Sequence, residues 1–176
     1  MYTSKISIGG KSFSGTLDFY IIKRTVDIFK TKKEGYTVHL LIKELLELDS
    51  EVIRVVLFES INRLSDISEG EFEILLLKLN DRDLEIATKD MITFINELMD
   101  KCIPINESAE KKEAVFVDEL EEDCQDDWDF NHMEYLWHSV LNRKESFWNI
   151  TPKNLFSQLD IYKQANKIED EKVQYI

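Results

Sequence analysis

Any chemistry in this chain has to come from three histidines, two cysteines and a surplus of carboxylates. His39, His132 and His138 are the only imidazoles among the 176 residues, and Cys102 and Cys124 the only thiols. A ligand pair on a helix needs residues three or four apart, so that both point to one face. His132 and His138 are six apart and Glu134 between them points elsewhere again. Cys124, His132 and His138 therefore make a poor ligand set, and no metal or other cofactor is expected. The carboxylates crowd between Glu107 and Asp129, where eleven acidic residues face only Lys111 and Lys112, a local charge of −9. That run lacks the turn glycine and the spaced oxygen ligands of a calcium loop. Acid–base catalysis needs two carboxyls in contrasting, partly buried settings, whereas these are many and alike. No G-x-S-x-G elbow, glycine-rich phosphate loop or flanked nucleophilic cysteine is present. The chain reads as a non-enzyme that works through surfaces.

Charge narrows the partners. With 22 Lys and Arg against 35 Asp and Glu the formal charge is −13, and the densest basic cluster is only Lys30-Thr31-Lys32-Lys33. A nucleic-acid binder needs a basic face to neutralise phosphates, so no nucleic acid is expected as a partner. The longest apolar runs, Val55-Val56-Leu57-Phe58 and Ile74-Leu75-Leu76-Leu77, fall far short of the roughly 18 residues a membrane span needs. No membrane is expected either. Met1 to Lys5 leads into no signal-like apolar stretch, and two cysteines without metal-like spacing read as free thiols in a cytosolic protein.

The surface most suited to a protein partner is aromatic. Residues 128–166 hold all three tryptophans, with Trp128, Phe130, Tyr135, Trp137, Phe147, Trp148 and Phe156 as candidate contacts. Large aromatic side chains carry much of the affinity at protein interfaces. At helical spacing they are also ordinary core residues. Two helices of about a dozen residues cannot bury so many by themselves, so the unit either docks on the rest of the chain or waits for a partner.

The elements that must position these residues are mostly helical. Lys5-Ile6-Ser7-Ile8 and Lys11-Ser12-Phe13-Ser14 alternate around Gly9-Gly10, which predicts an N-terminal β-hairpin. Phe19, Ile22, Val26 and Phe29, then Val38, Leu41, Ile42 and Leu45, step along two helical faces. Ser50 is placed to cap a third helix with Val52, Ile53, Val56, Leu57, Ile61 and Leu64 inward and Glu51, Arg54, Glu59, Asn62 and Arg63 outward. Ser68-Glu69-Gly70-Glu71 has the form of a capping box before Phe72, Leu75, Leu76 and Leu79. The longest stripe runs Leu84, Ala87, Met91, Phe94, Ile95, Leu98, Cys102 and stops at Pro104. Asp129 is a cap for a helix bearing Phe130, Met133, Trp137, Val140 and Leu141, and Thr151-Pro152 opens another with Leu155, Phe156, Leu159, Tyr162 and Ala165. The expected fold is mostly α: a β-hairpin on a small helical domain (1–104), an acidic linker (105–127), an aromatic-rich helical unit (128–166) and a polar tail (167–176).

The segments Asp129-Phe130-Asn131-His132-Met133 and Phe147-Trp148-Asn149-Ile150-Thr151-Pro152-Lys153-Asn154-Leu155 resemble the C-terminal part of bacteriophage tail assembly chaperones from long-tailed phages of Gram-positive hosts. The hairpin with Gly10-Lys11 at its turn, the helical domain and the acidic join are similar to the two-part G and T layout of that family. The resemblance covers most of the chain in layout, and the 129–155 stretch in motif. It implies a chaperone, absent from the mature virion, that acts in the host cytoplasm. Its G-type part would coat the tape measure protein, for which the leucine- and valine-rich helices of 50–102 could supply a groove. Its T-type part would recruit major tail tube protein, with Thr151, Pro152 and Leu155 joining the aromatic contact residues and self-association possible. Many relatives reach the T part by a frameshift. The alternative is an acidic adaptor or DNA-mimic-like inhibitor presenting Glu119, Glu121, Glu122 and Asp123 to a basic host protein.

Overall fold

The computed structural model describes residues 2–65, 67–104 and 127–166. Most of the expected linker, with Cys124 and the acidic residues from Glu107 to Asp126, lies outside the described residues, as does the tail 167–176.

The protein is mostly α-helical and begins with an antiparallel hairpin, β1 (Ser4–Ile8) and β2 (Lys11–Gly15). Gly9 and Gly10 both take positive φ (56° and 77°), which a tight two-residue turn requires and which glycine adopts without strain. The register pairs Ile6 with Phe13, and both are buried with Ile8 on the inner face. Gly15 lets the end of β2 press between two helices. A Cβ there would lie 2.6 Å from Phe94 Cζ and 3.2 Å from the backbone of Ser60.

Helices α1 (Phe19–Lys30), α2 (Val38–Leu46), α3 (Ser50–Ser65), α4 (Glu69–Leu77) and α5 (Asp81–Cys102) follow. Their starts are chosen by side chains that accept the free N–H groups of a first turn. Asp18 accepts from Ile21 N and Thr37 from Leu40 N, while Asn80 accepts from Asp83 N. The capping box at Ser68 and Glu71 forms with both of its hydrogen bonds. At α3 the cap is Asp49 and not the expected Ser50: Asp49 Oδ1 accepts from Glu51 N (2.9 Å) and Val52 N (3.0 Å), and Ser50 already lies in the helix. One carboxylate oxygen here takes two N–H groups.

The core runs from Ile6 to Ile103, with Leu17, Phe29, Tyr36, Leu41, Leu57, Ile61, Phe94 and Leu98 among its buried members. Helix α3 meets β2, α1, α2 and α5, so its buried arc is wider than one apolar stripe. This is why Glu59, expected on the solvent face, is 4% exposed, and why Leu64, expected inward beyond the reach of those neighbours, is 40% exposed. Glu59 pairs with Arg24 of α1 at 2.6 Å, which offsets the cost of its burial and raises the Arg24 pKa.

The C-terminal unit holds α6 (Phe130–Tyr135), a π-helical turn (Leu136–Val140), a 3-10 turn (Phe147–Asn149) and α7 (Pro152–Asn166). Asp129 caps α6 through His132 N, and Thr151 Oγ1 accepts from Asn154 N with Pro152 as the first helical residue. The expected continuous helix from 130 to 141 widens into the π turn, where Leu141 N reaches back to Leu136 O. That turn accompanies the burial of Trp137, whose Nε1 donates to Glu145 O at 2.8 Å. Ala165, on the expected stripe of α7, is exposed near the helix end.

Candidate interaction surface

The aromatic unit docks on the first helical domain, and the point of attachment is the first residue of α1. Phe19 is fully buried, and its ring stacks on Phe147 at 4.3 Å between centroids, with Trp128 and Phe130 at 5.9 and 6.2 Å. Its N–H, free because it opens a helix, donates to Ile150 O at 3.0 Å. A second apolar cluster thus forms from Phe19, Trp137, Phe147, Ile150, Leu155 and Leu159.

Polar contacts fasten the same seam. Asp18 is fully buried; one oxygen accepts from Ile21 N at 2.9 Å and the other from Arg63 Nε at 3.2 Å. Arg63 also donates to Asn149 Oδ1 at 2.6 Å and lies 4.3 Å over the Tyr20 ring. One guanidinium therefore ties the cap of α1, the end of α3 and the 3-10 turn together. Burial pushes the Asp18 carboxyl above its usual value, against the lowering effect of the Ile21 N–H and the Arg63 charge. Lys153 Nζ donates to Asp100 O at 3.0 Å on α5. Asp127 accepts from Val38 N at the start of α2 (2.9 Å) and pairs with Lys30 (3.1 Å).

The ten candidate contact residues divide by this docking. Trp137, Phe147 and Leu155 are buried in the cluster with Phe19, and Thr151 and Pro152 are buried as well; Trp128, Phe130, Trp148 and Phe156 are half-buried; Tyr135 is 58% exposed. Trp128 and Phe130 touch both apolar clusters. Trp148 borders an open groove of about 560 Å³ along α1, with Tyr20, Lys23, Arg24, Asp27, Ile28 and Thr31 as its other walls. The accessible aromatic surface is therefore Tyr135 with the exposed parts of Trp128, Phe130, Trp148 and Phe156, a rim left by the docking. Sequence patterning missed Phe19, Asp18 and Arg63 as its anchors, because they lie far along the chain from the unit they hold. The one available signal was that Phe19 sits directly after an N-capping aspartate, at the end of its helix.

A second surface lies on α4 and the start of α5. Ile74, Leu77, Leu84 and Ile86 are 52, 84, 45 and 49% exposed, on helices whose leucines were read as groove-forming. The imidazoles do not gather. His132 stacks on Tyr135, and His138 Nδ1 sits 2.9 Å from Arg143 O. Among the described residues no three His, Cys, Asp or Glu side chains are placed to hold a metal ion, and no helix is long and apolar enough to cross a membrane. Burial pushes the Cys102 thiol up to about 11, so it is a neutral core residue at physiological pH.

Comparison with protein-family models, curated proteins and solved structures returns no match.

Proposed function

We propose that this chain is a bacteriophage tail assembly chaperone: it binds the tape measure protein, keeps it soluble and recruits major tail tube subunits. The reading places it in the host cytoplasm and outside the mature virion, acting without catalysis or cofactor. It rests on the resemblance in residues 129–155, and the observation that carries it is the aromatic rim. Trp128, Phe130, Trp148 and Phe156 stay half-buried and Tyr135 largely exposed around a seam that is otherwise closed. A rim of large aromatics on a firmly held unit favours contact with another protein, because rigid amphipathic rings lose little freedom on binding. The net charge of −13 would keep a complex with an apolar client in solution.

Co-expression of the full chain with the tape measure protein of the same phage tests the reading. The tape measure is expected to stay soluble only when this chain is present; precipitation in both cases overturns it. Tube recruitment is tested with Tyr135→Ala and Trp148→Ala in the full chain. Deleting residues 128–176 is a poorer test, because it would uncover Phe19 and disturb the domain that remains.

A further inference from the structure

Apolar residues fall on every side of helix α4, with Glu69, Glu71 and Glu73 between them. Its sequence places Phe72, Ile74, Leu75, Leu76 and Leu77 within six consecutive positions, so no single face can hold them all. The inner side is accounted for. Phe72 is buried against Phe58, and Leu75 and Leu79 lie under the Gly9 turn of the hairpin. On the outer side Ile74 and Leu77, one turn apart, are 52 and 84% exposed. After the short connection 78–80, Leu84 continues the core stripe of α5 past the end of the core and is 45% exposed. A helix with apolar residues on both its inner and its outer side ordinarily has both of them covered. Among its nine residues this one has a single buried side chain, Phe72.

Charge selects the occupant. Glu69, Glu71, Glu73, Asp81, Asp83 and Glu85 surround these side chains, against Lys78 and Arg82 in the same stretch. Arg54 and Lys89 neutralise Glu73 and Glu85, and Lys11 of the hairpin turn acts on Glu71; Glu69, Asp81 and Asp83 then remain against Lys78 and Arg82, which leaves the patch acidic by one charge. A second copy of this chain would bring the same sign to the same place, as would its own acidic stretch around Ala114-Val115-Phe116-Val117. Residues one turn apart form a ridge that fits the groove of another helix.

We propose that the outer face of α4, with the first turns of α5, docks an amphipathic helix of a partner protein whose apolar stripe is flanked by Lys or Arg. The inference rests on the reading that this chain holds a helical client, and adds where the client sits and what charge pattern it carries.

The test uses the full chain and two synthetic amphipathic helices with the same leucine stripe, one flanked by lysines and one by glutamates, titrated by fluorescence anisotropy. The lysine-flanked helix is expected to bind at least about tenfold more tightly, and more weakly as salt rises. Ile74→Ser with Leu77→Ser should cost about tenfold or more in that affinity, while Ile161→Ser, 59% exposed on α7, should leave it unchanged. Glu69→Lys with Asp81→Lys keeps the leucines and should shift preference toward the glutamate-flanked helix, which guards against fraying of α4 in the serine variant. Equal binding of both helices overturns the proposal. Binding that survives both sets of α4 substitutions puts the peptide on the acidic stretch and overturns it too. Self-association lost on Leu77→Ser, seen by sedimentation, names a second copy as the occupant and has the same consequence. If neither helix binds but the tape measure stays soluble in co-expression, this inference falls and the proposed function stands; the reverse pair of results does the opposite.

Discussion

Two apolar regions of the molecule, the joint around Phe19 and helix α4, put their hydrophobic side chains to opposite use. Around Phe19, three rings and an Ile150 carbonyl converge on one buried residue, with Asp18, Arg63 and Asn149 fixing the angle of approach. Around α4, one phenylalanine is buried and Ile74 and Leu77 stand in water. Aromatic density thus marks an internal joint with an accessible rim. The plainer leucine run carries the more exposed surface. Burial follows from whether a complementary surface exists in the same chain, and the side chain's own hydrophobicity does not decide it.

Breaking the joint should have the largest effect. Phe19→Ala removes a fully buried ring and is expected to cost about 3–5 kcal/mol in denaturant unfolding, with hydrogen exchange rising first in residues 147–159. A loss confined to a few tenths of a kcal/mol would mean that the C-terminal unit is held elsewhere.

Arg63→Ala should cost about 2 kcal/mol, below the value for a fully enclosed ion pair because the Arg63 side chain keeps a quarter of its surface exposed. It also fixes a sign. The Asp18 pKa is raised on folding, so its contribution to stability is greatest when protonated, below the unfolded value, and declines as pH rises through the folded one. Without Arg63 that pKa should climb further, read from the Asp18 carboxyl shift by NMR. A downward move would remove the arginine from its assigned place.

Ser68→Ala should cost about 1 kcal/mol by removing half of the capping box, and the loss should appear as fraying of α4, which has little tertiary packing to hold it. Here the pH sign is opposite. The Ser68 hydroxyl and N–H lower the Glu71 pKa, so its contribution is present above the unfolded value and lost as pH falls through the folded one. Acid should therefore loosen α4 while favouring the Asp18 joint, a divergence that residue-resolved hydrogen exchange can follow. The smallest expected change is in the stability of Leu77→Ser, within about 0.5 kcal/mol for a side chain so exposed. A larger drop in thermal unfolding would show that Leu77 packs on something in the chain.

Much of the framework was legible from local chemistry. Gly9-Gly10 between alternating segments, the box at Ser68 and Glu71, Asp129 before Phe130 and Thr151 before Pro152 each act within four residues, so their hydrogen bonds are written in adjacent letters. The mostly helical fold with its leading hairpin followed from them and from the spacing of apolar residues. The surplus on α4 was not singled out: Phe72, Leu75, Leu76 and Leu79 were read as its stripe, and Ile74 and Leu77 are the residues left outside it. Other features were settled between elements. Glu59 is buried because α3 has neighbours on several sides; Trp137 is enclosed beside a π turn that spacing does not announce; and Trp137, Phe147 and Leu155 are withdrawn from the candidate contacts because they gather in one cluster with Phe19, far along the chain. Turns and caps depend on bonds a few residues long, which sequence determines by itself. Which apolar side chains remain in water depends on which surfaces meet, and only the tertiary structure decided that.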